Sequence, residues 1–374
     1  MATKPLKILS LPVDRGGCGW YRVRQPFEAI NEYTDSDCHV IDKTSDDPVE
    51  ILKALCLADI LVVRQGAEMG VSMLKDAANE YAKEAQVEPF HAKVVLDIDD
   101  NIELISPYSE HYKEYGTKEY YDKGTKQWVW KDGKGDFDLI YNRKRILDLM
   151  LGLRKADMIS VTTKKLAEYA RQYNKNVAVL PNAINSHAWW QPPFAENKQL
   201  RVGWSGGISH YEDWYTLKDP LNKLLRKYKF KLVMVGSAFT GLIDKDLRHL
   251  IEVWPWVPFE AHSYRMMLMN LDAAIIPLAD LPFNHYKSAI KLCEFSAMGV
   301  PSVVANVEPY KKSGINAALY YDTPEQFYTN LEQLLLKPEN RKRLGLAAKS
   351  EVEEKYTAKQ HAQTYLDAYR DILK

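Results

Sequence analysis

The chain predicts an α/β protein made of two doubly wound, Rossmann-like units. Three observations predict it. Short apolar runs alternate with helix-period segments along most of the 374 residues, the pattern of parallel sheets covered by helices on both faces. Each half opens with a strand that runs into a glycine-rich turn, DRGGCG at 14–19 and SGG at 205–207. The stretch from Asp272 to Ala305, DAAIIPLADLPFNHYKSAIKLCEFSAMGVPSVVA, reads as strand, loop, helix and strand.

In the first half, Lys7 to Pro12 is the opening strand. Gly16, Gly17 and Gly19 follow and let the backbone approach a ligand before a helix expected from about Gln25. A plain tight turn would use the same glycines. Tyr21 and Arg22 come next, offering a stacking surface and a fixed charge. Cys38–Ile41, Asp59–Val63 and Lys93–Asp97 read as strands, separated by helices near Val49–Leu57 and Val71–Ala85. The last of these strands ends in VVLDIDDN, which places Asp97, Asp99 and Asp100 at a sheet edge. Such carboxylates suit a metal, a sugar hydroxyl or the proton of an acceptor, and a simple turn cluster would look the same.

Residues 102–138 break the rhythm, being dense in Tyr, Trp, Lys and Gly with neither helical nor strand period. The span is too long for an ordinary loop, and its six lysines are balanced by acids. It is expected to be a lid, an acceptor-recognition insertion, or surface elaboration. A helix near Leu139–Lys155 restores the pattern, and the next stretch gives strand, helix and strand, with Thr162 or Thr163 as N-cap. The paired prolines of HAWWQPPFAENKQ (187–199) mark a linker.

The second half begins with Leu200–Trp204 and SGGISHYED. Gly206 and Gly207 open a helix whose N–H groups and dipole make an anion site, with Ser209 and Glu212 spaced as a capping box. Lys229–Val235 is a strand, and Trp254–Glu260 an aromatic segment. After the 272–305 unit come a strand at Ala318–Tyr321 and helices at Pro324–Leu336, Pro338–Lys355 and Ala358–Leu373.

The 272–305 unit carries the chemistry. A helix over about His285–Met298, ended by Gly299, sets Lys287, Lys291 and Glu294 at i, i+4 and i+7 on one face. A solvated lysine–glutamate face is the bland alternative. Lysines in the first turns oppose the helix dipole unless an anion sits there, and these are embedded in apolar sequence beside a buried strand. A cationic face for phosphate with a carboxylate beyond it for sugar hydroxyls is the sharper reading.

The run KSAIKLCEFSAMGVPSVVA resembles the nucleotide-sugar motif of family 4-like glycosyltransferases of the GT-B fold. The resemblance, which extends along most of the chain, implies two domains facing across a cleft. It implies an acceptor-side domain at 1–185 with the insertion at 102–138, a donor domain at 186–356, and a last helix, 357–374, crossing back to the first. It also implies that Glu294 holds the donor ribose, that Lys287 and Lys291 lie at the diphosphate, that the Gly206–Gly207 turn faces it, and that Ser288 binds the donor. The base is expected near Val257, within VPFE, held largely through backbone groups. The acceptor or phosphate loop is expected at Gly16, Gly17, Gly19, Tyr21 and Arg22. His210, Asp99 and Asp100 complete the catalytic set, with His210 standing where many members carry basic residues. Where the family often has a second glutamate, eight residues before Glu294, this chain has Tyr286. The expected donor is a UDP-sugar rather than a GDP-sugar, with retention of configuration and neither metal nor bound cofactor. A nucleotide-sugar epimerase and a non-catalytic sugar- or nucleic-acid-binding protein are the rival readings.

Composition bounds the rest. Fifty basic and fifty acidic residues give no net charge, so no global field draws nucleic acid or anionic membrane. Modified DNA nevertheless stays among the acceptors to test, beside glycans. The start of the chain lacks a run resembling a signal peptide, no stretch approaches a membrane span, and Cys18, Cys38, Cys56 and Cys293 have no metal or redox spacing. A cytoplasmic location is the expectation.

Overall fold

The computed structural model describes residues 5–41, 47–68, 70–185, 187–189 and 196–374. Most of the proline-bearing linker expected at 187–199 falls outside the described residues. In chain order the strands are β1 (Lys7–Ser10), β2 (Asp37–Val40), β3 (Ile60–Arg64), β4 (Lys93–Ile98), β5 (Tyr120–Asp122), β6 (Gln127–Trp130), β7 (Met158–Val161), β8 (Val177–Val179), β9 (Arg201–Gly206), β10 (Lys231–Gly236), β11 (Ile251–Trp254), β12 (Ala273–Ile276), β13 (Ser302–Ala305) and β14 (Leu319–Tyr321). They form two six-stranded parallel sheets, ordered β2-β1-β3-β4-β7-β8 and β11-β10-β9-β12-β13-β14, plus the β5–β6 hairpin. In each large sheet the order reverses beside its first strand, at β1/β3 and at β9/β12. Side chains beyond the carboxyl ends of those strands therefore meet in a crevice, where doubly wound sheets bind ligands.

Central strands such as ILVVR and AAII are buried along their length, because helices cover both faces. One core surrounds the second sheet, while the first has a core on each face. The last helix, Ala358–Asp371, places Ala362, Tyr365, Leu366 and Tyr369 in one of the latter, against Ile8, Val23, Phe27 and Ile30. It starts with a capping box between Thr357 and Gln360. Beside it Ile184 and Thr357 pair as a parallel bridge, so the two chain segments entering and leaving the second half run side by side.

Four local expectations are corrected. The helix expected from Gln25 begins at Gly17 and passes through a π turn at Trp20–Arg24, where the Gln25 N–H reaches Trp20 O. That wide turn accommodates Pro26, which has no N–H to give. The insertion at 102–138 is ordered rather than without period. Tyr112 and Phe137 stack and pack with Trp130 around Ile105, and Trp130 Nε1 donates to Pro107 O at 2.6 Å. Its strands are three and four residues long, too short for a period to show. The Ser209–Glu212 capping box does not form; the chain enters the helix Tyr211–Tyr215 through a 3-10 turn at Ile208–His210 without a side-chain cap. Finally, Lys287 is not helical: its ψ of 162° is extended, and the helix runs only from Ile290 to Ala297. Asn284 causes this break, donating to Asp213 Oδ1 at 3.1 Å and Ala279 O at 3.0 Å, which ties the loop down before the helix starts.

Candidate functional site

A cleft cavity of about 350 Å³ lies between the two sheets. Gly17, Tyr21, Asp99 and Asp100 line it from the first, and Gly206, Gly207, His210, Lys287, Ser288, Lys291 and Glu294 from the second. Most of the site residues expected from sequence thus converge on one space.

On the first wall, Asp14 Oδ1 accepts from the Gly16 N–H at 2.7 Å and fixes the turn after β1. Gly19 must be glycine, since a Cβ there would lie 2.0 Å from Asp14 O. Tyr21 is buried, and its hydroxyl crosses the cleft to donate to Glu294 Oε1 at 2.6 Å. Burial, then the Glu294 charge, pushes that phenol well up. Arg22 is a correction, because it is 1% exposed and does not face the cleft. It donates to Asp97 Oδ2 at 2.6 Å, Asn182 Oδ1 at 3.0 Å, Tyr365 Oη at 3.2 Å and Leu180 O. Asp97 also accepts from Arg64 and from Ser160 Oγ, so two guanidiniums compensate this buried carboxylate. Arg22 joins the first wall to the strand ends and the last helix rather than binding ligand.

The neighbouring carboxylates divide. Burial would raise Asp99, but Arg64, 2.9 Å away, overcomes it and holds the carboxyl at about 2. Asp100 is raised by burial, although Lys287 Nζ at 3.6 Å works against this. Asp100 is thus the less firmly ionised group and the one suited to meet an incoming hydroxyl.

On the second wall, β9 ends at Gly206, where a Cβ would lie 2.5 Å from the Trp204 ring and 2.9 Å from Lys291 Nζ. Only glycine lets the lysine lie along the turn. Lys291 Nζ donates to His210 Nε2 at 2.6 Å, and His210 Nδ1–H donates to Asp213 Oδ2 at 2.5 Å. Burial, then Lys291, drops His210 to about 4; burial, then Lys287, drops Lys291 to about 7. Lys287 lies 4.6 Å over the Phe283 ring, and Asn182 Nδ2 donates to Ser288 Oγ at 3.0 Å across the cleft. Phe283 also packs on the insertion's aromatic core, which sets the insertion at the cleft edge.

Glu294 is 3% exposed; its Oε2 takes no hydrogen bond from the described residues. Beyond it, Trp256, Phe259 and His262 form an aromatic wall, with Phe259 stacked on His262 at 4.3 Å between centroids. Gly236, at φ +88°, makes room for Trp256, whose ring would lie 2.4 Å from a Cβ there. Val257, the expected base contact, is half-buried outside the cavity lining; its neighbours Trp256 and Phe259 face the space. Tyr286 also points elsewhere, onto Tyr169 at 6.3 Å.

Sequence reasoning missed two residues. Asp213, an i+3 partner on His210's turn, was legible as His-x-x-Asp spacing. His262, 1% exposed with neither ring nitrogen hydrogen-bonded, left no local signal; only the fold carries its Nε2 to within 3.5 Å of Glu294 Oε1.

Two doubly wound parallel sheets facing across this cleft, with the last helix returning to the first, define the GT-B fold of glycosyltransferases. Solved structures of that architecture superpose over nearly the whole chain. Sucrose-phosphate synthase from Thermosynechococcus elongatus is 12% identical, covering 98% of each chain at a TM-score of 0.62. Anabaena HepE in complex with UDP and glucose is 12% identical, covering 97% of this chain and 98% of that one at 0.62. A glycosyltransferase from Rickettsia africae is 13% identical, covering 100% of both at 0.61. Likeness at this identity is one of fold. No protein-family model and no curated protein matches the chain.

Proposed function

We propose that the protein is a glycosyltransferase that moves a sugar from a nucleoside-diphosphate donor to an acceptor hydroxyl. The observation that carries this reading is the row Lys287, Lys291, Glu294 along the cleft wall, running from a glycine turn to an aromatic cradle. That row matches the order of a bound donor: diphosphate at the lysines and the turn's N–H groups, ribose at Glu294, base against Trp256 and Phe259. The two lysines supply the central catalytic task, stabilising charge that develops on the departing diphosphate. UDP is favoured over GDP because HepE, of the same fold, has been solved with UDP-glucose. Retention of configuration goes with the sequence resemblance. The acceptor hydroxyl meets Asp100 from the first wall, and the ordered insertion at 102–138 frames its approach.

The test is turnover. UDP- and GDP-linked hexoses and pentoses are incubated with neutral oligosaccharides and with hydroxymethylated duplex DNA, and free nucleoside diphosphate is followed. Release that depends on an acceptor supports the proposal. Sugar isomerisation without release would make the protein an epimerase, and nucleotide binding with neither would make it a binding protein.

A further inference from the structure

Lys291 and His210 meet end to end. Asp213 can only accept a hydrogen bond from His210 Nδ1. The neutral ring therefore carries its proton on Nδ1 and offers Nε2 to Lys291 Nζ. Two cations could not make this contact, since both ends would be donors. The pair therefore carries at most one positive charge as built.

The charges of Asp213 and Glu294 favour the Lys291 ammonium, but neither carboxylate bonds to it. Asp213 gives Oδ2 to His210 and Oδ1 to the Ala279 N–H and Asn284. Glu294, on Lys291's own helix, accepts from Tyr21. Across the cleft Asp99 is taken by Arg64 and Asp100 by Lys287, while the Cys18 thiol lies near Asp99. Among the described residues no carboxylate lies within ion-pair distance of Lys291 Nζ. Lys287 is a second cation nearby, and Lys291 occupies the first turn of its helix, where the dipole disfavours positive charge. The Trp204 face, 5.6 Å away, gives weak compensation.

We propose that the empty site holds fewer protons than the filled one: a donor diphosphate draws a proton from solvent onto the Lys291–His210 pair, and Asp213 is the positioning residue that keeps His210 Nε2 an acceptor. This rests on the donor reading above. The proton goes to Lys291 Nζ; the ammonium then gives one hydrogen to Nε2 and the others to phosphate oxygens, and no covalent bond to the donor changes. The depressed lysine, at about 7, agrees with this. Product release returns the proton, so nucleoside diphosphate binds more weakly as pH rises.

The experiment is calorimetric titration of the full chain with UDP, in buffers of different ionisation enthalpy. The slope of observed against buffer enthalpy counts protons. At about pH 8, well above UDP's own phosphate titration, uptake near one proton per UDP is expected; at about pH 7 it falls to about half. Lys291→Met should abolish uptake at about pH 8 while retaining weakened binding. Lys287→Met, which removes the neighbouring cation, should at least halve it. Asp213→Asn removes a charge that favours the ammonium, so uptake at about pH 7 should rise towards one, which a merely structural role would not produce. Binding with less than about a tenth of a proton taken up, or uptake unchanged in Lys291→Met, overturns the proposal alone. Failure of both UDP and GDP to bind overturns the donor reading, and the proposal with it.

Discussion

Replacing Glu294 by glutamine removes one charge and keeps the shape of the side chain. The carboxylate is 3% exposed, and Oε1 already accepts from Tyr21. Glutamine keeps an acceptor for that phenol, so the fold loses little. A ribose hydroxyl meeting Oε2, by contrast, exchanges a charge-assisted hydrogen bond of roughly 1.5–3 kcal/mol for a neutral one of roughly 0.5–1.5 kcal/mol. The difference, about 1–1.5 kcal/mol, is close to tenfold in affinity. Titrating UDP while following fluorescence of the cradle tryptophan Trp256 reads it. UDP should bind Glu294→Gln about tenfold more weakly, with Tm changed by no more than a few degrees. Inorganic pyrophosphate, which has no ribose, should bind both proteins alike. Equal UDP affinity in a folded variant would refute the ribose assignment, and an equal loss for pyrophosphate would show that Glu294 acts through the lysines instead.

Lys291→Ala should lower transfer by on the order of a hundredfold, as loss of an oxyanion contact does, measured as acceptor-dependent UDP release; near-normal turnover would refute its role. Arg22→Met leaves Asp97 with one guanidinium in a buried setting, and should cost roughly 3–5 kcal/mol of stability by chemical denaturation, with UDP affinity per folded molecule unchanged. Asp99, held at about 2 against an ordinary 3.8, has a lowered carboxyl. Its stabilising contribution is therefore full above the unfolded value and lost as pH falls from 3.8 towards about 2, so Asp99→Asn should flatten acid unfolding across that window. Tyr121 and Trp128 are exposed on the hairpin, and changing both to serine should raise the acceptor KM while leaving UDP affinity unchanged.

Much of what is periodic or punctuated in this chain is readable from the sequence, although the Ser209–Glu212 spacing makes no cap and the first helix starts at Gly17. Apolar runs mark the strands of the two large sheets to within a few residues, except β11 (Ile251–Trp254), which was not expected as a strand. Gly299, at φ +71°, ends the helix Ile290–Ala297, and Thr163, one of the two expected N-caps, accepts with its hydroxyl from the Leu166 N–H. What escaped depends on partners far away in sequence. Arg22 read as a ligand cation because nothing local shows that Asp97 claims it. Lys287 read as helical because its residue types allow it; the break comes from Asn284 bonding to Asp213. Val257 shares its tetrapeptide with the ring that does line the cleft, and side-chain direction in an irregular segment has no period to reveal it. His262, at the start of the helix His262–Leu268, meets Glu294 only because the second sheet brings that helix beside the helix Ile290–Ala297.

The most direct test is a crystal structure of the protein with an intact UDP-sugar. The diphosphate should lie against Lys291, Lys287 and the Gly206–Gly207 turn, the ribose on Glu294, and the sugar should turn towards Asp100. A nucleotide bound outside this cleft, or one lying in it with its diphosphate away from Lys291, would refute the proposed donor site.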